Sequence, residues 1–139
     1  MSKIDTYTHT HLHTSAGSFL DGVGKCEEYM QRAVELGQQA VCVTEHGSMA
    51  SAYEFQSQGD KYGIKTILGN EMYCVEDRFR KGVTEAEKEG LTPTEVREEN
   101  RKRLKAPHLL LLAETDEGLQ NLYRLNYYAN NEGFYGKPR

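Results

Sequence analysis

Short apolar runs alternate along this chain with stretches whose apolar residues recur every three or four positions, the signature of strands alternating with helices. Cys26, Tyr29, Met30, Ala33 and Val34 fall at helical spacing, and Gly37 stands where that helix would stop. The run from Ala40 to Thr44 is apolar and rich in β-branched residues, as a buried parallel strand is, and it ends at Glu45. A second helical stretch extends from about Met49 to Tyr62, closed by Gly63. Lys65 to Leu68 and Met72 to Val75 then read as two strands or as one bent strand. His108 to Ala113 is another buried-strand pattern. It leads into a helix from Thr115 with Asp116 and Glu117 in its first turn, an apolar face of Leu119, Leu122, Leu125 and Ala129, and Gly133 as its stop. Asp5 to Thr14 is expected to form the first strand. The fold class expected is α/β with a mainly parallel sheet of four or five strands.

From Glu76 to Ala106 the pattern breaks into interleaved acidic and basic residues with hardly any aliphatics, which reads as an exposed insertion at about 76–106. A short solvated helix is expected within it, from Thr94 to Leu104. With 37% hydrophobic and 27% charged residues among 139, the composition is that of one soluble domain or part of one. No apolar run is long enough to cross a bilayer, and the start lacks the pattern of a signal peptide, so the cytoplasm is expected and no membrane partner. Cys26, Cys42 and Cys74 are odd in number and sit in apolar surroundings, which favours reduced core thiols over a disulfide framework. A net charge of −4 argues against binding nucleic acid by bulk electrostatics; any contact with DNA would be local.

Chemistry concentrates in Thr8-His-Thr-His-Leu-His-Thr14, which holds three of the five histidines. On a strand, His9, His11 and His13 share one face at a spacing of about 7 Å, suited to ligands that converge on one or more metal ions. The alternative is a polar face that happens to be histidine-rich. His46 follows the second strand directly, where a parallel sheet carries its functional loops, although alone it reads more often as a turn or hydrogen-bonding residue than as a ligand. Glu71 begins an apolar segment, where a cation would offset its desolvation; otherwise it faces solvent. Asp21 reads as a turn residue beside Gly22. His108 opens its strand rather than closing it, so spacing does not by itself bring it to the same rim.

Taken in order, these residues resemble PHP (polymerase and histidinol phosphatase) domains, and specifically those at the amino terminus of bacterial replicative DNA polymerase III alpha subunits. The resemblance rests on His9-Thr-His11 followed by His13, Leu20-Asp-Gly22, Thr44-Glu-His-Gly47, Glu54-Phe55, Gly63-Ile-Lys65, Gly69-Asn-Glu-Met-Tyr73, His108 to Ala113, and the ending Glu132 to Arg139. It covers nearly the whole chain apart from the charged insertion. It implies that residues 1–139 are the amino-terminal portion of one PHP domain, a part of a distorted, seven-stranded, TIM-like βα barrel. It also implies that His9, His11, Asp21, His46, Glu71 and His108 are ligands of a site holding up to three ions, Zn²⁺ or Mn²⁺, with His13 and Glu45 supporting them from outside. Glu45 stands where the family has Asp, and one extra residue separates His13 from Asp21.

Further ligands of the family, a cysteine, an aspartate and a histidine, are expected beyond Arg139, so the set in this chain is expected to be incomplete and the chain alone to have little or no nuclease activity. The resemblance implies a metal-dependent phosphoesterase, a 3′-to-5′ exonuclease on DNA in the complete domain. The alternatives are a non-catalytic module that supports the polymerase and docks a proofreading exonuclease, and a small free-standing phosphomonoesterase. The partners expected are the remainder of the alpha subunit or a second copy of the chain, and DNA through the parent protein. Polymerisation would reside elsewhere in that protein.

Overall fold

The computed structural model describes residues 7–139. In chain order it contains α1 (Cys26–Leu36), β1 (Ala40–His46), α2 (Ala52–Tyr62), β2 (Lys65–Tyr73), a short 3-10 helix at Ala86–Lys88, α3 (Pro93–Arg103), β3 (His108–Leu112) and α4 (Asp116–Asn131). The expected helix boundaries follow local chemistry. Gly37 and Gly63 end α1 and α2 in the left-handed region, at φ 69° and 67°, which a residue without Cβ adopts freely. Thr115 caps α4 by accepting from the Gly118 N–H.

The three strands form one sheet in the order β1-β2-β3, with β1 and β2 parallel and β2 and β3 antiparallel. The sheet is therefore mixed rather than mainly parallel. The cause lies in the segment between β2 and β3. A parallel return needs a crossover element packed on the sheet, and α3, the helix of that segment, buries none of its residues. Lys65 to Tyr73 is one continuous strand, so the count is three among the described residues rather than four or five.

The expected first strand is also corrected. Residues 7–14 form no ladder, and residues 5 and 6 lie outside the described residues. The segment runs alongside β1 and accepts from it at two points, Cys42 N–H to His9 O at 3.0 Å and Thr44 N–H to Leu12 O at 2.9 Å. Three residues on one side thus match two on the other, which breaks a regular register. The Leu12 and Thr14 N–H groups go instead to side chains, Thr44 Oγ1 and the Glu45 carboxylate.

Met30 and Ala33 of α1, Ala52 and Phe55 of α2 and Leu122 of α4 close over Val41, Val43 and Leu68 of the sheet to form the core. Because strand side chains alternate, His46, Glu71, Tyr73 and His108 are directed away from this core, toward the opposite face. Cys26 and Cys42 are buried free thiols and Cys74 is a half-buried one. Burial pushes the first two up to about 11, so they are thiols rather than thiolate ligands.

Candidate metal centre

Strand register assembles half of the site. His46 ends β1 directly beside Glu71 of β2, and Tyr73 of β2 pairs with His108 of β3. The antiparallel return of β3 is what brings its first residue to the end of β1 and β2. The irregular segment 7–14 supplies the other half, held in place by Tyr29 Oη of α1, which donates to the His13 carbonyl at 3.0 Å.

Four imidazoles surround the Glu71 carboxylate, which is 5% exposed. His11 Nε2 lies 2.8 Å and His13 Nε2 3.1 Å from Glu71 Oε2; His108 Nδ1 lies 2.5 Å from Oε1; His46 Nδ1 lies 3.3 Å from Oε2. His11 Nε2 and His13 Nε2 are themselves 3.1 Å apart. Asp21 Oδ2 approaches the far nitrogen of His46, Nε2, at 2.8 Å. The His13 and His46 rings stack at 4.3 Å, and the Tyr73 ring stands edge-on to His108 at 4.5 Å.

Burial raises the Glu71 carboxyl, but hydrogen bonds from His11 and His108, and the charge of His46 and His11, outweigh it and hold the group below the usual carboxylate range. Burial, helped by the neighbouring His46, lowers His13 below the ordinary imidazole value, which favours the neutral ring with one nitrogen free as a lone-pair donor.

Two groups in this arrangement have ligand atoms close enough to hold an ion, His11 with His13 and Glu71, and His46 with Glu71 and His108. The fit is chemical as well as spatial. Ligand atoms at about 2.1 Å from a tetrahedral ion stand about 3.4 Å from one another, close to the spacings here. The buried His46 Nδ1 has no hydrogen-bond partner despite its 3.3 Å approach to Glu71. A buried ring nitrogen left without a hydrogen bond beside a carboxylate is accounted for by a cation bound to both. Glu71 belongs to both groups, one oxygen toward His11 and His13 and the other toward His108.

Of the residues singled out from sequence, His11, His13, His46, Glu71 and His108 come together, with Asp21 against His46. His9 does not join them; its ring stands edge-on to Tyr7 at 4.7 Å. Glu45 points into the loop that follows His13. It is 1% exposed and accepts from Thr14 N–H at 3.1 Å, Thr14 Oγ1 at 2.5 Å, Ser18 Oγ at 2.6 Å and Ser51 Oγ at 2.7 Å. Tyr73 was missed by sequence reasoning, although its place two residues after Glu71 on one strand was the signal for it.

Residues 9–139 match the model of the PHP domain. The chain belongs to the PHP domain family. It is 38% identical over 140 residues to DNA polymerase III subunit alpha of Aquifex aeolicus, covering 100% of this chain and 11% of that protein. It is 37% identical over 139 residues to the same subunit of Helicobacter pylori, covering 100% and 10%, and 35% identical over 141 residues to that of Thermus aquaticus, covering 96% and 10%. This PHP chain thus spans about a tenth of the length of the relatives it matches.

Proposed function

We propose that this chain carries the metal-binding part of a phosphoesterase site that, in the complete protein, acts on the phosphodiester backbone of DNA, removing nucleotides in the 3′-to-5′ direction. The observation that carries the metal reading is the convergence of four imidazole nitrogens on the two oxygens of Glu71, one of them buried without a partner. The phosphoesterase reading adds to it the family membership and the alpha-subunit relatives.

The ligands we assign are His11 and His13 with Glu71 for one ion, and His46 and His108 with Glu71 for the other, Asp21 holding the far side of His46. His13 takes the place that the resemblance gave to His9. Zn²⁺ or Mn²⁺ held there would supply Lewis acidity, activating water and neutralising charge at phosphorus. The protein's own part is to orient: Tyr29 fixes the His13 backbone, Asp21 fixes the His46 ring, and Glu71 stays ionised between them. The three-stranded sheet is read as one arc of the family's barrel, completed by the remainder of an alpha subunit.

Elemental analysis of the purified chain tests the centre. Zinc or manganese should be present in stoichiometric amount, lost in His13→Ala and Glu71→Gln, and retained in His9→Ala. Retention in His13→Ala with loss in His9→Ala would overturn the assignment. Release of nucleotides from a DNA primer by the full-length protein, abolished by Glu71→Gln, tests the chemistry; bound metal without release would leave the centre a structural one.

A further inference from the structure

The ending Glu132 to Arg139 has no part in the centre described above, yet it is built against it. Arg139 is 7% exposed, and its guanidinium donates to three backbone carbonyls: Gly133 O at 3.1 Å, Arg80 O at 2.7 Å and Arg78 O at 3.3 Å. Its own N–H donates to Ala129 O of α4. Gly133 admits this return, since a Cβ there would overlap the Arg139 carbonyl. One residue earlier, Pro138 packs on Gly47, whose φ of 54° makes the turn directly after His46. A methyl on Gly47 would press on the Pro138 ring at 3.1 Å. The Gly47 carbonyl is in turn held by Asn130 of α4.

These contacts fix the residue between them and the preceding turn. Lys137 is half-buried, and its Nζ lies 4.4 Å from the centroid of the Tyr73 ring. That ring stands against His108 at 4.5 Å and stacks toward His46 at 6.2 Å. The ammonium therefore stands one aromatic ring away from two of the assigned ligands. Among the described residues it makes no ion pair with a carboxylate. Its attraction to the ring face holds it without neutralising it.

We propose that Lys137 is the phosphate-contacting cation of this site, donating to a non-bridging oxygen of a phosphate ester bound over the Glu71 cluster. The proposal rests on the metal-dependent phosphoesterase reading above. Lysine suits the role as a compact point charge with three donors on a flexible stem. A cation held in advance at the wall of the site contributes most where negative charge collects on the phosphoryl oxygens.

The test measures affinity of the 139-residue chain for thymidine 5′-monophosphate and for the dinucleotide TpT by calorimetry, with zinc content determined on the same samples. Lys137→Ala should weaken binding about tenfold or more at unchanged zinc content and unchanged melting temperature, and Lys137→Arg should restore most of it. A loss seen with TpT assigns the contact to a diester, and a loss confined to the monophosphate assigns it to a monoester; either supports the contact. Unchanged affinity in Lys137→Ala overturns it. So does a loss accompanied by loss of zinc, because the lysine would then act through the metal cluster. Absence of zinc from the unsubstituted chain would sink the metal reading instead. The comparison in zinc-free protein then decides for Lys137, with equal affinity of the two proteins overturning the contact.

Discussion

Glu71 is a carboxylate kept ionised in a nearly closed place, and that has a consequence for stability in acid. Its folded value is depressed, so the stability it contributes is present above its ordinary value of about 4.5 and is lost as pH falls toward the folded value. His13 is lowered too, but as a base. The unfolded chain takes up that proton first, so its contribution is full above about 6.5 and is lost as pH falls from there toward the folded value. Both act in the same direction. The urea midpoint of metal-free protein should fall from pH 7.5 to 5.5 because of His13, and fall further below pH 4.5 because of Glu71. A His13→Gln variant should flatten the first part only, and a midpoint unaffected by that substitution would contradict the assignment. Glu45 makes a different case. Its four hydrogen-bond donors, three hydroxyls and an N–H, would lose their acceptor in Glu45→Ala, at a cost of about 3 kcal/mol in chemical unfolding. Its side chain also fills the loop that follows His13: a Cβ on Gly17 would collide with it.

At the scale of elements, what could be read from the sequence was whatever local chemistry decides. The glycine stops of α1 and α2, the threonine cap of α4 and the solvated α3 all lie where residues within one turn specify them. The direction of β3 was not legible, because it depends on whether the helix before it packs on the sheet, and strand spacing alone therefore did not bring His108 to Glu71. Alternation along residues 7–14 was misleading for a related reason. A strict two-residue period puts three histidines on one face, whereas the loss of register against β1 leaves His9 beside Tyr7 and delivers His11 and His13 to Glu71. Helix α3 allows a clean test of independence between elements. Thr92 caps it, accepting from the Glu95 N–H while the Glu95 carboxylate accepts from the Thr92 N–H. Thr92→Ala should cost α3 about 1 kcal/mol, seen as faster amide exchange within Pro93–Arg103. Zinc content should not change, since α3 contributes no ligand; a fall in zinc would tie the charged insertion to the centre.

For the molecule as a whole, the centre joins parts of the chain that its three-stranded sheet alone holds weakly. His11 and His13 come from an irregular segment with two backbone bonds to β1, His46 and Glu71 from paired strands, and His108 from the strand at the sheet's edge, whose other side has no strand partner among the described residues. An ion bound to the folded chain and not to the unfolded one stabilises it by mass action, about 2.7 kcal/mol when free ion stands at one hundred times its dissociation constant. For a chain of this size that corresponds to a rise of roughly 8 to 10 °C in melting temperature. Scanning calorimetry against zinc concentration should therefore show a melting temperature that climbs with the logarithm of free zinc and returns to its starting value with a chelator. The same titration on Glu71→Gln should be flat, because that carboxylate is shared by both groups of ligands. A melting temperature that rose equally in the variant would mean that zinc acts elsewhere on the surface, and the edge strand and the histidine segment would then owe their positions to packing alone.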